Sequence, residues 1–193
     1  MRIADFFTVL RIALAPIFFC LFFLPSWTGW GAQLSAYILI PLFVCMEFTD
    51  FLDGHFARKL DAVSDFGKLF DPFADVLANL TALFAFVISG YLHPVLFLLI
   101  LYREMGIMFV RSLASRRGVA MGARKGGKAK TVLYIVAAGA SLLLECAQRL
   151  SVDLGFFGHV VAIANLPLYI LAVVVSLASF VDYVLQYRSL SRA

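Results

Sequence analysis

Residues 157–186 read FGHVVAIANLPLYILAVVVSLASFVDYVLQ, and from Val160 to Val181 no side chain in this stretch carries a charge. About 20 apolar residues in helical form cover the hydrocarbon core of a bilayer, so this run is long enough to cross one. Five further apolar segments can be drawn, over 8–27, 32–57, 66–90, 93–115 and 129–149. Of the 193 residues 63% are hydrophobic, and the mean hydropathy is +0.94. A soluble domain would be about half apolar. Lipid leaves backbone polar groups no external partner, so only helices or closed barrels span it, and runs of this length mean helices. The expected fold is an all-α integral membrane protein with six transmembrane helices and a short interfacial segment over 1–7. The polar stretches are too short for a separate soluble domain, so residues 1–193 form a single membrane domain. A cleavable secretory signal is rejected, because Arg11 interrupts the first run and no convincing cleavage site follows.

Charge orients the bundle. With six spans, both termini share a side with the 58–65 and 116–128 loops. Those regions hold Arg2, Arg58, Lys59, Arg116, Arg117, Arg124, Lys125, Lys128, Arg188 and Arg192. The opposite loops, 25–33, 90–94 and 150–158, hold no lysine or arginine, and Arg149 stands at the edge of one. The positive-inside rule puts both termini in the cytoplasm. The net charge of +4 suits an anionic membrane face and anionic small substrates; no nucleic-acid partner is expected. Cys20, Cys45 and Cys146 stand singly, without metal-site or disulfide spacing, and are read as packing residues.

The second segment ends in Asp50-Phe-Leu-Asp53-Gly54-His55-Phe-Ala57-Arg58, and the third opens with Gly67-Lys68-Leu-Phe-Asp71-Pro72-Phe-Ala-Asp75. Aspartates three or four apart on a helix share a face. A short cytoplasmic link makes the two helices antiparallel neighbours, so four carboxylates converge at one membrane face. Ionisable groups at such depth are costly and mark function. Divalent cations supply the compensating charge, and oxygen ligation suits hard ions such as Mg²⁺, Mn²⁺ or Ca²⁺. The competing reading pairs these aspartates with Arg58, Lys59 and Lys68 at the surface. Gly54 and Gly67 allow close approach of a ligand or of another helix. The third helix either begins near Asp71 with Pro72 in its first turn, or begins earlier and contains Pro72.

These residues resemble the signature of the CDP-alcohol phosphatidyltransferases, D-x-x-D-G-x-x-A-R followed by G-x-x-x-D-x-x-x-D, and all eight specified positions match. The resemblance implies six membrane helices, a homodimer, and transfer of a phosphatidyl group from a CDP-linked lipid with release of CMP. It implies that Asp50, Asp53 and Asp71 ligate metal, with Asp75 as general base that also touches a second metal. A two-metal site for Mg²⁺ or Mn²⁺ follows. Gly54, Ala57, Arg58 and Gly67 would line the site of CDP-diacylglycerol. Thr8 and Arg11 look like a further family element, T-x-x-R, and by that resemblance would also bind the CDP-lipid, although Asp5 stands where an asparagine is common.

The residue types fit phosphoryl transfer in their own right, since the attacked phosphorus bears charge that metals neutralise and a neighbouring carboxylate takes the hydroxyl proton. In the fourth segment Arg103-Glu104 is followed by Arg111, and the next loop runs from Arg116-Arg117 to Arg124-Lys125-Gly-Gly-Lys128-Ala-Lys130-Thr131. Arg103 lies in an apolar run and needs a partner. Glu104, adjacent in sequence, is expected to point elsewhere, so an interior anion is the better partner. For Arg116, Arg117, Arg124 and Lys125 a topogenic, headgroup-facing role is preferred. The pattern resembles the glycerophosphate-using branch of the family, which makes Arg103, Arg111, Lys128 and Lys130 candidates for the phosphate of glycerol 3-phosphate. Val76 replaces a usual lysine of that branch and Tyr134 a frequent glutamine. The other acceptors considered are inositol phosphate, serine, choline and phosphatidylglycerol. A divalent-cation transporter is a different class, disfavoured because the carboxylates gather at one end of the bundle. Glu47 is a candidate for supporting the aspartates. His55 is read as a solvated loop residue, His93 and His159 as interfacial, and Trp27, Trp30 and Tyr91 as aromatic-belt residues. A bacterial inner-membrane protein with its active site facing the cytoplasm is the expected setting.

Overall fold

Long apolar runs with few breakers leave the backbone one way to satisfy itself in lipid, and each of the six segments forms a helix. The computed structural model describes the backbone of residues 3–60, 65–116 and 125–190, and side chains at 8–48, 70, 72–114 and 129–189. The helices are α1 (Ile3–Thr28), α2 (Ala32–Leu60), α3 (Asp65–Ile88), α4 (Pro94–Arg116), α5 (Lys125–Arg149) and α6 (Gly155–Leu190). Among the described residues there is no strand. α1 begins at Ile3 and runs unbroken, so the backbone of residues 3–7 is continuous with the helix of the first apolar run. α3 begins at Asp65 and contains Pro72, which decides between the two starts open from the sequence.

Three helices have stretches long and apolar enough to cross a membrane, namely Thr8–Thr28, Ala129–Arg149 and Gly155–Ser189; Ala32–Phe48 and Pro72–Ile88 are shorter apolar helices. The surface is apolar along the helices: Tyr102, Phe109, Ile163 and Val174 are exposed although each lies within a helix. A water-soluble bundle would hide such residues, whereas lipid solvates them. The chain is an integral membrane protein.

Turn chemistry joins the helices at the end away from the aspartates. Gly90 takes φ +80° after α3, and the amides of Tyr91 and Leu92 donate to the Phe86 carbonyl at 2.9 and 3.1 Å. This is a helix stop built on a left-handed glycine. His93 Nδ1 accepts from the Val95 amide at 3.3 Å and caps the start of α4.

α1 packs on α2 and α3, α5 on α2, α3 and α6, and α4 on α3 and α6. Small buried residues, among them Ala15, Ala36, Ala78, Ala85, Ala137 and Ala172, let the backbones approach. Phe18, Phe22 and Phe86 fill the space between α1 and α3, Phe86 standing edge-on to the other two. Cys146 is buried as expected, with Sγ 3.7 Å from the Ala36 carbonyl. Cys20 and Cys45 are exposed, so the packing role read for them is corrected: both face outward from their helices.

Arg149 ties the same end together. It bonds Glu145 one turn back at 2.8 Å, Ser35 Oγ on α2 at 2.7 Å and the Phe22 carbonyl on α1 at 2.7 Å. Its guanidinium also lies 4.7 Å from the centre of the Phe22 ring. An arginine that looked like a stray charge at a loop edge therefore links three helices.

Candidate active site

Among the described residues, two charged groups lie in the interior away from Arg149, one between α1, α2 and α3 and the other between α4, α5 and α6. In the first, unbroken helix runs through Asp50 and Asp53 on α2 and through Asp71 and Asp75 on α3. That is the backbone condition on which the spacing argument depends. The side chains of Asp50, Asp53, Gly54, Ala57, Arg58, Gly67 and Asp71 lie outside the described residues. Asp75 is described, and its Oδ1 accepts from Nη1 of Arg11 across the α1–α3 contact. Arg11 is 3% exposed and Thr8, one turn earlier on the same helix, is 0% exposed. The T-x-x-R element therefore sits inside the bundle, with its arginine on the fourth aspartate.

A small cavity of about 20 Å³ adjoins this pair, lined by Arg11, Glu47, Asp75 and Asn79 together with Phe43 and Met46. That is room for one water with several polar partners. Glu47, one turn before Asp50 in sequence, brings a carboxylate of α2 to the cavity as well. Asn79 was missed in the sequence. The signal was available, since Asn79 continues the four-residue spacing of Asp71 and Asp75 along α3. Every polar residue lining the cavity except Arg11 offers oxygen, as a hard divalent cation requires.

The second group centres on Glu104. Arg103 Nη1 donates to both Glu104 oxygens at 3.0 Å, and Lys130 Nζ bonds Glu104 Oε1. This corrects the expectation that Glu104 points away from Arg103. Adjacent helical residues diverge at Cβ, but arginine and glutamate are long, and both enter the space between α4, α5 and α6. All three are well buried, with side-chain exposures of 3% for Arg103, 9% for Glu104 and 14% for Lys130. Arg103 Nε also donates to the Ser176 carbonyl at 3.2 Å. The Tyr134 hydroxyl donates to Ser176 Oγ at 2.7 Å, and Lys130 Nζ stands 5.5 Å from the Tyr134 ring centre. Arg111 Nε donates to the Tyr183 hydroxyl at 3.3 Å. Lys128 is on α5, but its side chain is outside the described residues.

The two departures from the glycerophosphate branch acquire physical partners here. Tyr134 is buried and bonded to α6. Val76 is half-buried and packs against the apolar core. α5 carries Lys130 and also packs on α2, where Ile135 shares a groove with Phe43, Val44, Glu47 and Phe48. The α4–α6 contact is close at Gly106, where a Cβ would meet Phe180 Cζ at 2.8 Å.

An aspartate motif on two consecutive helices, an inward arginine on a third and a separate basic group make up the candidate site. Residues 1–178 match the family model for CDP-alcohol phosphatidyltransferase, and the chain belongs to that family. It is 41% identical over 190 residues to the CDP-diacylglycerol–glycerol-3-phosphate 3-phosphatidyltransferase of Treponema pallidum (strain Nichols), covering 95% of this chain and 88% of that protein. It is 35% identical over 144 residues to the Bacillus subtilis (strain 168) protein of the same name, covering 70% and 74% of the two chains. The Mycoplasma pneumoniae protein of that name is 34% identical over 161 residues, covering 80% of this chain and 68% of the relative.

Proposed function

We propose that this protein transfers the phosphatidyl group of CDP-diacylglycerol to glycerol 3-phosphate, releasing CMP and forming phosphatidylglycerophosphate. The observation that carries this reading is the pairing of Asp75, in the two-helix aspartate motif, with the buried Arg11, together with a buried basic group that includes Lys130 of α5, a helix packed on α2. The names of the relatives support the choice of acceptor.

The reaction is a substitution at the lipid-side phosphorus. The primary hydroxyl of glycerol 3-phosphate forms the new P–O bond. The bond from that phosphorus to the bridging oxygen breaks, and the oxygen leaves with CMP. Asp75 accepts the hydroxyl proton, and Arg11 fixes the direction of its carboxylate. Asp50, Asp53, Asp71 and Asp75 would hold Mg²⁺ or Mn²⁺ in a two-metal arrangement, which fits the oxygen donors lining the adjoining cavity. When bound, the ions neutralise charge on the diphosphate and on the departing phosphate. Thr8, Arg11, Gly54, Ala57, Arg58 and Gly67 line the CDP-lipid side. Arg103, Arg111, Lys128 and Lys130 take the acceptor phosphate, where guanidinium and ammonium donors make charge-assisted bonds.

The full setting is six spans with both termini and the active site on the cytoplasmic face of the bacterial inner membrane, in a homodimer. Charge bias supports that orientation. Acyl chains then remain in lipid while CMP leaves to water. α4 falls short of a plainly apolar span because it carries Arg103, Glu104 and Arg111, the same residues that form the basic group.

The test supplies CDP-diacylglycerol and Mg²⁺ or Mn²⁺ with glycerol 3-phosphate, inositol phosphate, serine, choline or phosphatidylglycerol in turn, and measures CMP. Release with glycerol 3-phosphate alone is expected. Release with another acceptor alone would refute the acceptor assignment. Divalent-cation flux in proteoliposomes lacking CDP-lipid would instead favour transport.

A further inference from the structure

We propose that Glu104 is a positioning residue for the phosphate subsite, holding Arg103 and Lys130 inward so that their remaining donors face the acceptor. The inference rests on the acceptor reading above and deepens it. A carboxylate beside a phosphate-binding group is at first sight adverse, because like charges repel. Here its two oxygens are covered by cations. Oε1 takes Lys130 and Arg103, and Oε2 takes Arg103 at 3.0 Å. The contacts of Arg103 leave its Nη2 donors unused, and Lys130 spends one of its three donors on Glu104.

Removing the carboxylate changes what the cations do. Arg103 and Lys130 come from different helices and meet in a space nearly closed to solvent. Unscreened, they repel strongly at low dielectric. Arg103 stays tied to α6 through the Ser176 carbonyl. Lys130 is less restrained: it lies within two turns of the start of α5. A lysine so placed relieves repulsion by extending its stem toward the aqueous face. Glu104 opposes that motion. It also sets the charge of the group. Arg103, Arg111, Lys128 and Lys130 against one carboxylate leave a net positive group that attracts a phosphate dianion.

The test is steady-state kinetics on the detergent-purified full chain, varying glycerol 3-phosphate at saturating CDP-diacylglycerol and then the reverse. Glu104→Gln is expected to raise the KM for glycerol 3-phosphate by about tenfold or more, the loss that follows when a charge-assisted bond no longer holds its donor. The KM for CDP-diacylglycerol is expected to stay within about twofold, since that ligand is assigned to the other polar group. Combining Glu104→Gln with Lys130→Gln should raise the acceptor KM no further than Lys130→Gln alone, because the first residue acts through the second. An unchanged acceptor KM, an equal loss toward both substrates, or additive effects would overturn the proposal. If Glu104→Gln fails to fold, Glu104→Asp carries the test: the charge remains but the reach shortens, and the acceptor KM should still rise severalfold, whereas an unchanged value overturns the proposal. A wild-type protein that releases CMP with another acceptor but not with glycerol 3-phosphate would refute the acceptor reading itself, before any variant is compared.

Discussion

Gly106 and Gly139 are both helix-interior glycines, yet alanine should act oppositely at the two. At Gly139 an added Cβ meets nothing within 4 Å. Alanine there should stabilise the fold by about 0.5–1 kcal/mol, from helix propensity and reduced freedom of the unfolded chain. At Gly106 the same Cβ would lie 2.8 Å from Phe180 Cζ and 3.1 Å from Cε2. Carbon atoms rest about 3.5–4.0 Å apart, so the ring or α6 must retreat by roughly 0.7 Å or more. Overpacking of this kind costs about 1–3 kcal/mol. The tip of a ring yields more readily than backbone, which favours the low end, and alanine's own gain offsets part of the cost. The net expectation is a loss of about 1 kcal/mol for Gly106→Ala. The gap between the two variants should then be at least about 1.5 kcal/mol, or roughly 3–6 °C in Tm for a chain of this size.

The displacement should also reach the basic group. Ser176 and Tyr183 lie on α6 one turn either side of Phe180, and they accept from Arg103 at 3.2 Å and Arg111 at 3.3 Å. A shift of about 0.7 Å carries either bond beyond ordinary hydrogen-bond reach. Thermal unfolding of the two variants in one detergent, with acceptor kinetics alongside, measures both effects. Equal or higher stability of Gly106→Ala relative to Gly139→Ala would refute the close α4–α6 contact. A lower Tm with an unchanged acceptor KM would refute the link from that contact to the phosphate subsite.

Three further outcomes are expected. Asp75→Asn should lower turnover by at least about 100-fold, the contribution of a positioned general base; near-normal turnover would remove Asp75 from that role. Arg111→Ala should raise the KM for glycerol 3-phosphate by about tenfold with a smaller change in kcat, and an unchanged KM would take it out of the pocket. Arg149→Met should destabilise the fold by about 3 kcal/mol, because it strands Glu145 and removes the links to Ser35 and the Phe22 carbonyl. Its acceptor KM should match that of the wild type, and a selective rise in KM would contradict its placement at the far end of the bundle.

Hydropathy located all six helices because the apolar runs are long and the breaks between them short. α3 was less legible at its start, since Pro72 is compatible either with a first turn or with the interior of a helix. Spacing argues for a shared aspartate face only where the helix is unbroken, and the backbones of α2 and α3 meet that condition. Asn79 lay on that same spacing but carries no charge to draw notice. The need of Arg103 for a partner was legible, yet the identity of the partner was not. Adjacency on a helix fixes Cβ directions, whereas the meeting of Arg103 and Glu104 depends on side-chain length and on how α4 packs against its neighbours. The partner of Tyr134, Ser176, is 42 residues away and emerges only from the α5–α6 contact.

The central claim is transfer from CDP-diacylglycerol to glycerol 3-phosphate at the aspartate face. Its most direct test incubates the purified protein with both substrates and Mg²⁺ or Mn²⁺, then quantifies CMP and the lipid product together by mass spectrometry. The expected result is CMP and phosphatidylglycerophosphate in equal amounts, with both lost in Asp75→Asn. CMP without the lipid product, or no CMP from folded protein, would contradict it.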